Sequence, residues 1–277
     1  MSIDALPYTV LLLLAEFSVG CLLVLVAADL RGLVVPSFVK LGAGMVLAGA
    51  ALTLLTALQV EAVSDIDGFR VDADLMGPMR ALLAAFLAAT LPYNLFVFRG
   101  DRPRSLQAGV VAGGVGLAAL GLTAYVFSLP TWGVAGPLLS LMAGSLALGG
   151  ATVAMVWGHW YLVTPGLPKR PLEEMTVFLL VILLVQAGLM VLNVALPARE
   201  TPASTGTLSS DLASNPAFWL RVGVGLVFPV VLAYMAWQSS AVRAMMSATG
   251  LLYIAVGAVL SGEALARGLL FVTGVPV

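Results

Sequence analysis

Apolar residues run along this chain in long unbroken blocks separated by short polar punctuation. The blocks do not alternate as a half-buried strand would, and each approaches the roughly 20 residues a helix needs to cross a bilayer core. Eight spans are predicted: Tyr8–Leu30, Ser37–Val60, Gly77–Phe98, Ser105–Phe127, Trp132–Val163, Met175–Leu196, Ala217–Ser239 and Val242–Phe271. Continuous hydrophobicity excludes a transmembrane barrel. The fifth and eighth spans are overlong, which predicts tilt or extension past the membrane. The seventh and eighth are separated by almost nothing, as in a tight helical hairpin. The expected fold class is an all-α integral membrane protein, a bundle of about eight transmembrane helices forming one polytopic domain over residues 1–277.

Composition agrees with the pattern. The chain is 61% hydrophobic and 10% charged, whereas a soluble domain carries about 25% charge. A net charge of −1 gives no reason to expect a nucleic-acid partner. The segment Met1–Pro7 carries Asp4 and no basic residue, unlike the start of a signal peptide, so the first span is expected to be a retained helix.

Basic residues set the expected orientation. One set of loops holds Arg31, Lys40, Arg99, Arg102, Arg104, Lys169, Arg170 and Arg243. The opposite set holds fewer, Arg70, Arg80, Arg199, Arg221 and Arg267, and most of the acids, including Asp4, Glu61, Asp65, Asp67, Asp72, Asp74, Glu200 and Asp211. Both termini are therefore expected on the outer, non-cytoplasmic face. The expected location is the cell membrane, for a bacterium the inner one. Two longer outer loops, Glu61–Met76 and Pro197–Pro216, read as polar, the second as flexible.

An even helix count raises the question of duplication. "VAADLRGLVVPSF" ends the first span and "VWGHWYLVTPGLP" the fifth, each with a proline near the cytoplasmic side. The pair hints at two parallel four-helix halves, 1–128 and 132–277, with poor identity between them. Small residues recur at four-residue spacing in Gly150–Ala154–Gly158, Gly109–Gly113 and Gly44–Ala48, which predicts close helix packing along those stripes.

Ionisable groups within a bilayer are costly and usually face the bundle interior. Glu16 lies about two turns into span one, and Glu263 at a similar depth in span eight, with Arg267 four residues further on the same face. Arg221 opens span seven and Arg80 opens span three. Glu16, Glu263, Arg267 and Arg221 are the candidates for a buried charge cluster or proton path. The competing expectation is a static Glu263–Arg267 pair with Arg80 and Arg221 reaching for headgroups. Gln186 and Asn193 share one face of span six and are expected to bond a neighbouring helix rather than line a path.

The second constellation surrounds the one histidine. His159 sits among Trp157, Trp160 and Tyr161 near the cytoplasmic end of span five, and Tyr93, Asn94 and Arg99 follow Pro92 at the same level of span three. An aromatic belt explains these residues without a ligand. The ligand reading puts His159 in a pocket walled by Trp157 or Trp160 and the Tyr93–Arg99 segment, hydrogen-bonding a flat, lipid-soluble headgroup.

With one Cys, Cys21, and one His, a metal or haem site is hard to build, so this chain alone is expected to bind no cofactor of that kind; a quinone headgroup or a polar lipid head would suit the His159 chemistry. No P-loop, dinucleotide fingerprint, zinc-protease helix or nucleophile elbow is present. The first expectation is an integral membrane subunit of a redox or respiratory-type complex, in contact with the lipid bilayer, with a quinone or lipid-like ligand, and with membrane or peripheral redox subunits as partners. A proton-coupled transporter of a small solute or ion, using the buried carboxylates, is the second. An intramembrane lipid-acting enzyme with His159 as base is the third.

Overall fold

The computed structural model describes residues 4–32, 34–66, 68–127, 134–164, 166–195 and 212–277. Trp132 and Leu196, expected span limits, lie outside the described residues, as do Asp67, Pro165, Arg199, Glu200, Asp211 and most of the second long loop. Eight helices long and apolar enough to cross a bilayer are present: α1 (Leu6–Leu30), α2 (Pro36–Gln59), α3 (Met76–Arg99), α4 (Arg102–Val126), α5 (Ala135–Val163), α6 (Arg170–Ala195), α7 (Pro216–Ala241) and α8 (Met245–Thr273). Prolines 7, 36, 103 and 216 stand in first turns, where their missing N–H has no helical partner to lose. Helix α6 begins five residues before the expected Met175, because Arg170–Glu174 extends the helix as a charged turn beyond the apolar run.

Outer faces stay apolar. Leu52, Leu55 and Leu58 on α2 are exposed, as are Val181, Leu184, Val185, Val191 and Leu192 on α6. A bundle apolar outside as well as inside is the architecture of a multi-pass membrane protein.

The helices form two rings of four. Helix α1 packs on α2, α2 on α3, α3 on α4 and α4 on α1; in the same way α5 packs on α6, α6 on α7, α7 on α8 and α8 on α5. The rings join mainly through α1 and α5, flanked by lesser α4–α5 and α1–α8 contacts. These two central helices are the most enclosed, with 67% and 72% of their apolar windows buried against 33–50% for the other six. Their backbones touch. A Cβ on Gly20 would strike the Ser145 carbonyl, and one on Gly149 would strike the backbone of Gly20.

Connections repeat between the rings. The α1–α2 and α5–α6 turns each use a left-handed glycine, Gly32 (φ 67°) and Gly166 (φ 99°). The α3–α4 and α7–α8 turns are tight, with Gly100 (φ 76°) and Arg243 (φ 61°) in left-handed conformation. These four turns define one end of the bundle, called the basic end below; the other is the acidic end.

Two expectations change. The Glu61–Met76 loop is not simply polar: it folds as a hairpin, β1 (Asp65–Ile66) paired antiparallel with β2 (Phe69–Arg70). Its apolar residues seal the acidic end, Phe69 packing edge-on to Phe271 at 5.1 Å between ring centroids. The Gly44–Ala48 stripe does not mediate packing, since a Cβ on Gly44 meets only open space. Gly42 and Gly49 do so instead, against Leu25 and Ser18 of α1.

Candidate functional site

Five helices bring polar side chains to one point inside the bundle. Glu16 comes from α1, Ser140 from α5, Gln186 from α6, Arg221 from α7, and Glu263 and Arg267 from α8. Glu16, Glu263 and Arg267 have no solvent exposure. Both carboxylates lie ten residues from the acidic end of their helices, Leu6 to Glu16 and Glu263 to Thr273, about 15 Å at the helical rise.

Arg267 is the hub. Its Nη2 lies 2.8 Å from Glu16 Oε1 and 3.0 Å from Glu263 Oε2, and its Nη1 donates to Ser140 Oγ at 3.0 Å. Glu263 is further held by Gln186 Nε2, which donates at 2.6 Å, and by Arg221 Nη1 at 3.2 Å. Two guanidinium groups thus face two carboxyls, a balance that burial in a medium of low dielectric requires. The chain makes room for them with glycine. A Cβ on Gly144 would stand 2.5 Å from Glu263 Oε2 and 2.6 Å from Glu16 Oε1.

Backbone irregularity in α7 serves the same site. A π-helical turn, Gly223–Val227, precedes Pro229. Pro229 has no N–H to offer the Gly225 carbonyl four residues back, and Arg221 Nη1 donates to that carbonyl at 3.2 Å. Gly225 also lies against Gly262, so the α7 and α8 backbones meet beside Glu263.

The two carboxyls are not equivalent. Glu263 has partners on both oxygens. Glu16 has one ionic contact, to Arg267, without hydrogen-bond alignment, and its Oε2 has no hydrogen-bond partner among the described residues. Gln186 Oε1, Arg221 Nε and Arg267 Nε are likewise buried and unpartnered. Such atoms are rare in folded proteins.

The four charged residues expected in a cluster are therefore together, including Arg221, which is buried rather than turned to headgroups. Gln186 and Ser140 join them unforeseen. Gln186 was legible as a bonding residue, but its partner was not; Ser140 carried no signal. Asn193 departs from expectation: it bonds not a neighbouring helix but the Pro276 carbonyl of the C-terminal tail beyond α8. Arg80 is elsewhere: it donates to the Ala57 and Val60 carbonyls and closes the C-terminal end of α2.

The aromatic constellation separates. His159 is exposed on α5, its Nδ1 2.9 Å from the Tyr253 hydroxyl of α8. Trp160 and Tyr161 are half-buried. Trp157 is fully buried, edge-on to Phe38 of α2 with centroids 4.9 Å apart. Tyr93 is buried beside Gly109 of α4, Asn94 donates to the Thr90 carbonyl, and Arg99 is exposed at the end of α3. Helix α3 packs on α2 and α4, and α5 on α1, α6 and α8, so His159 and the Tyr93–Arg99 segment belong to different rings. Arg102, from the same stretch, instead pairs with Asp29 across the α1–α4 contact, Nε to Oδ1 3.1 Å.

No protein-family model and no curated protein matches the chain.

Proposed function

We propose that this chain is the membrane-embedded subunit of a redox assembly, and that Glu16 exchanges protons for a lipid-soluble quinone-class carrier. The observation that carries the reading is the sealed, unpartnered oxygen of Glu16. Glu263, Arg267, Arg221 and Gln186 already form a mutually bonded group. Glu16 makes a single ionic contact, to Arg267, and its sealed Oε2 has no partner among the described residues; a carboxyl that gains and loses a proton accounts for that cost. Reduction of a quinone to a quinol takes up two electrons and two protons. The electrons come from haem or iron–sulfur groups in partner subunits; the protons pass by way of Glu16. The basic end faces the cytoplasm on this reading.

Membranes holding the chain with its native partners test it. Glu16→Gln should lower the rate of quinone reduction about ten-fold or more, with the amount of folded chain unchanged. Wild-type turnover in that variant would reject the role of Glu16.

Proton-coupled transport is the second reading, favoured by one observation. Glu16 belongs to the first ring and its partners to the second, so the cluster bridges the seam along which two similarly packed halves would move. Ion or solute flux in vesicles containing the chain alone would support it over the first. The lipid-acting enzyme gains no support, since among the described residues the His159 ring bonds no carboxylate.

A further inference from the structure

A groove on the seam between the rings gives the proposed carrier a place. It has a volume of about 200 Å³ and runs between α1, α5 and α6 at the basic end. Leu23, Val24, Ala28, Leu146, Met175 and Phe178 are among its apolar walls. At its mouth the Glu174 carboxylate lies between two guanidiniums, its Oε2 2.7 Å from Arg31 Nε and its Oε1 2.8 Å from Arg170 Nε. Its inner end reaches Leu23, two turns from Glu16 on the same stripe of α1, about 10 Å away.

The matching place on the other side of the seam is closed. Exchanging the rings sends α1 to α5 and α6 to α2. Gly20 and Gly149, each at the helix crossing, set the register of the first exchange. Val24 of the groove then corresponds to Val153, and matching the two cavity linings pairs Pro171, Met175 and Phe178 with Phe38, Gly42 and Met45, which have the same spacing on the helix. Phe38, Gly42, Met45 and Val153 do line a cavity there, but it holds only about 10 Å³. The Trp157–Phe38 ring pair occupies that side. Trp157 corresponds to Ala28 and Phe38 to Pro171, so two aromatic rings on the closed side stand against an alanine and a proline on the open side. The mouth differs as well. Arg31 corresponds to Trp160 and Glu174 to Leu41, so the Arg–Glu pair of the open side has no counterpart at those two positions.

Resting on the redox reading above, we infer that the α1–α5–α6 groove binds the ring of the quinone-class carrier, its tail lying along the outer apolar face. The space is shaped for flat rings, because rings fill it on the closed side. Arg31 donates to a ring carbonyl, and Glu174 accepts from the hydroxyl of the reduced form. A paired Arg and Glu suit a neutral headgroup that both accepts and donates.

The test is equilibrium binding of a short-tailed ubiquinone to the purified full chain in phospholipid nanodiscs. One site per chain is expected. Ala28→Trp, which copies the closed side, should weaken binding about ten-fold or more. Arg31→Gln, at an exposed position that cannot upset the core, should weaken it about three-fold or more. His159→Ala should leave it unchanged. Full binding in both Ala28→Trp and Arg31→Gln would overturn the groove. Loss in His159→Ala with full binding in those two would move the carrier to the His159–Tyr253 surface, leaving the redox reading standing and this inference wrong. No saturable binding in wild type would overturn the inference, and the Glu16→Gln turnover assay would then decide the redox reading by itself.

Discussion

The charge cluster and the His159 surface contrast in how tightly tertiary structure binds them. In the cluster five helices converge, every charged group is buried, and a single guanidinium is shared between carboxyls from both rings. At His159 two exposed side chains from adjacent helices share one hydrogen bond. A charge in an apolar span has few places to go, so its partners are dictated by the fold. An imidazole near a helix end is satisfied by any neighbour or by solvent, and its position constrains little. The cluster is where perturbation should be felt.

The largest effect is expected at the hub. Arg267→Met leaves two sealed carboxyls with one remaining guanidinium, and breaking a buried pair in this way costs about 3–5 kcal/mol. Thermal unfolding of the detergent-solubilised variant, or failure to recover it, should register that loss; wild-type stability would mean that the cluster is not sealed as described. Gly144→Ala comes next. The added methyl enters the space of both carboxylates, and such overpacking costs about 1–3 kcal/mol. A neutral outcome would show that α5 can retreat from the cluster.

Glu16→Gln should cost about 1–3 kcal/mol, less than loss of the hub, because it removes one ionic contact while Arg267 keeps Glu263 and Ser140. Glu263→Gln should destabilise more, since both oxygens are engaged. Equal losses for the two would erase the distinction between an exchangeable and a fixed carboxyl. The smallest effect belongs to Tyr253→Phe, which removes one exposed hydrogen bond to His159, worth about 0.5 kcal/mol or less. A larger loss would mean that the His159–Tyr253 pair carries more than its surroundings indicate.

Much of this was legible in the sequence. All eight helices follow from continuous hydrophobicity, and Glu16, Glu263 and Arg267 follow from the expense of charge at their depth and from the four-residue spacing of the last two. Arg221 and Arg80 were alike in the sequence, each near the opening of a span at the acidic end. Only packing separates them: α7 faces α8 across Gly225 and Gly262, whereas α3 sits in the other ring beside the end of α2. A pocket joining His159 to Tyr93 and Asn94 required α3 beside α5, a non-local contact that no single helix encodes. The groove was invisible for a related reason. Ala28 and Pro171 are unremarkable residues until the two rings are overlaid and Trp157 and Phe38 are found in their places.

The central claim is that Glu16 changes protonation while Glu263 does not, and infrared difference spectroscopy tests it most directly. Reduced and oxidised states of the assembly, poised with a short-tailed ubiquinol and ubiquinone, should differ by a protonated-carboxyl C=O band that Glu16→Gln abolishes and Arg31→Gln leaves in place. A difference spectrum without such a band, or a band that survives Glu16→Gln, would contradict the account and leave the cluster as a static brace between the two rings.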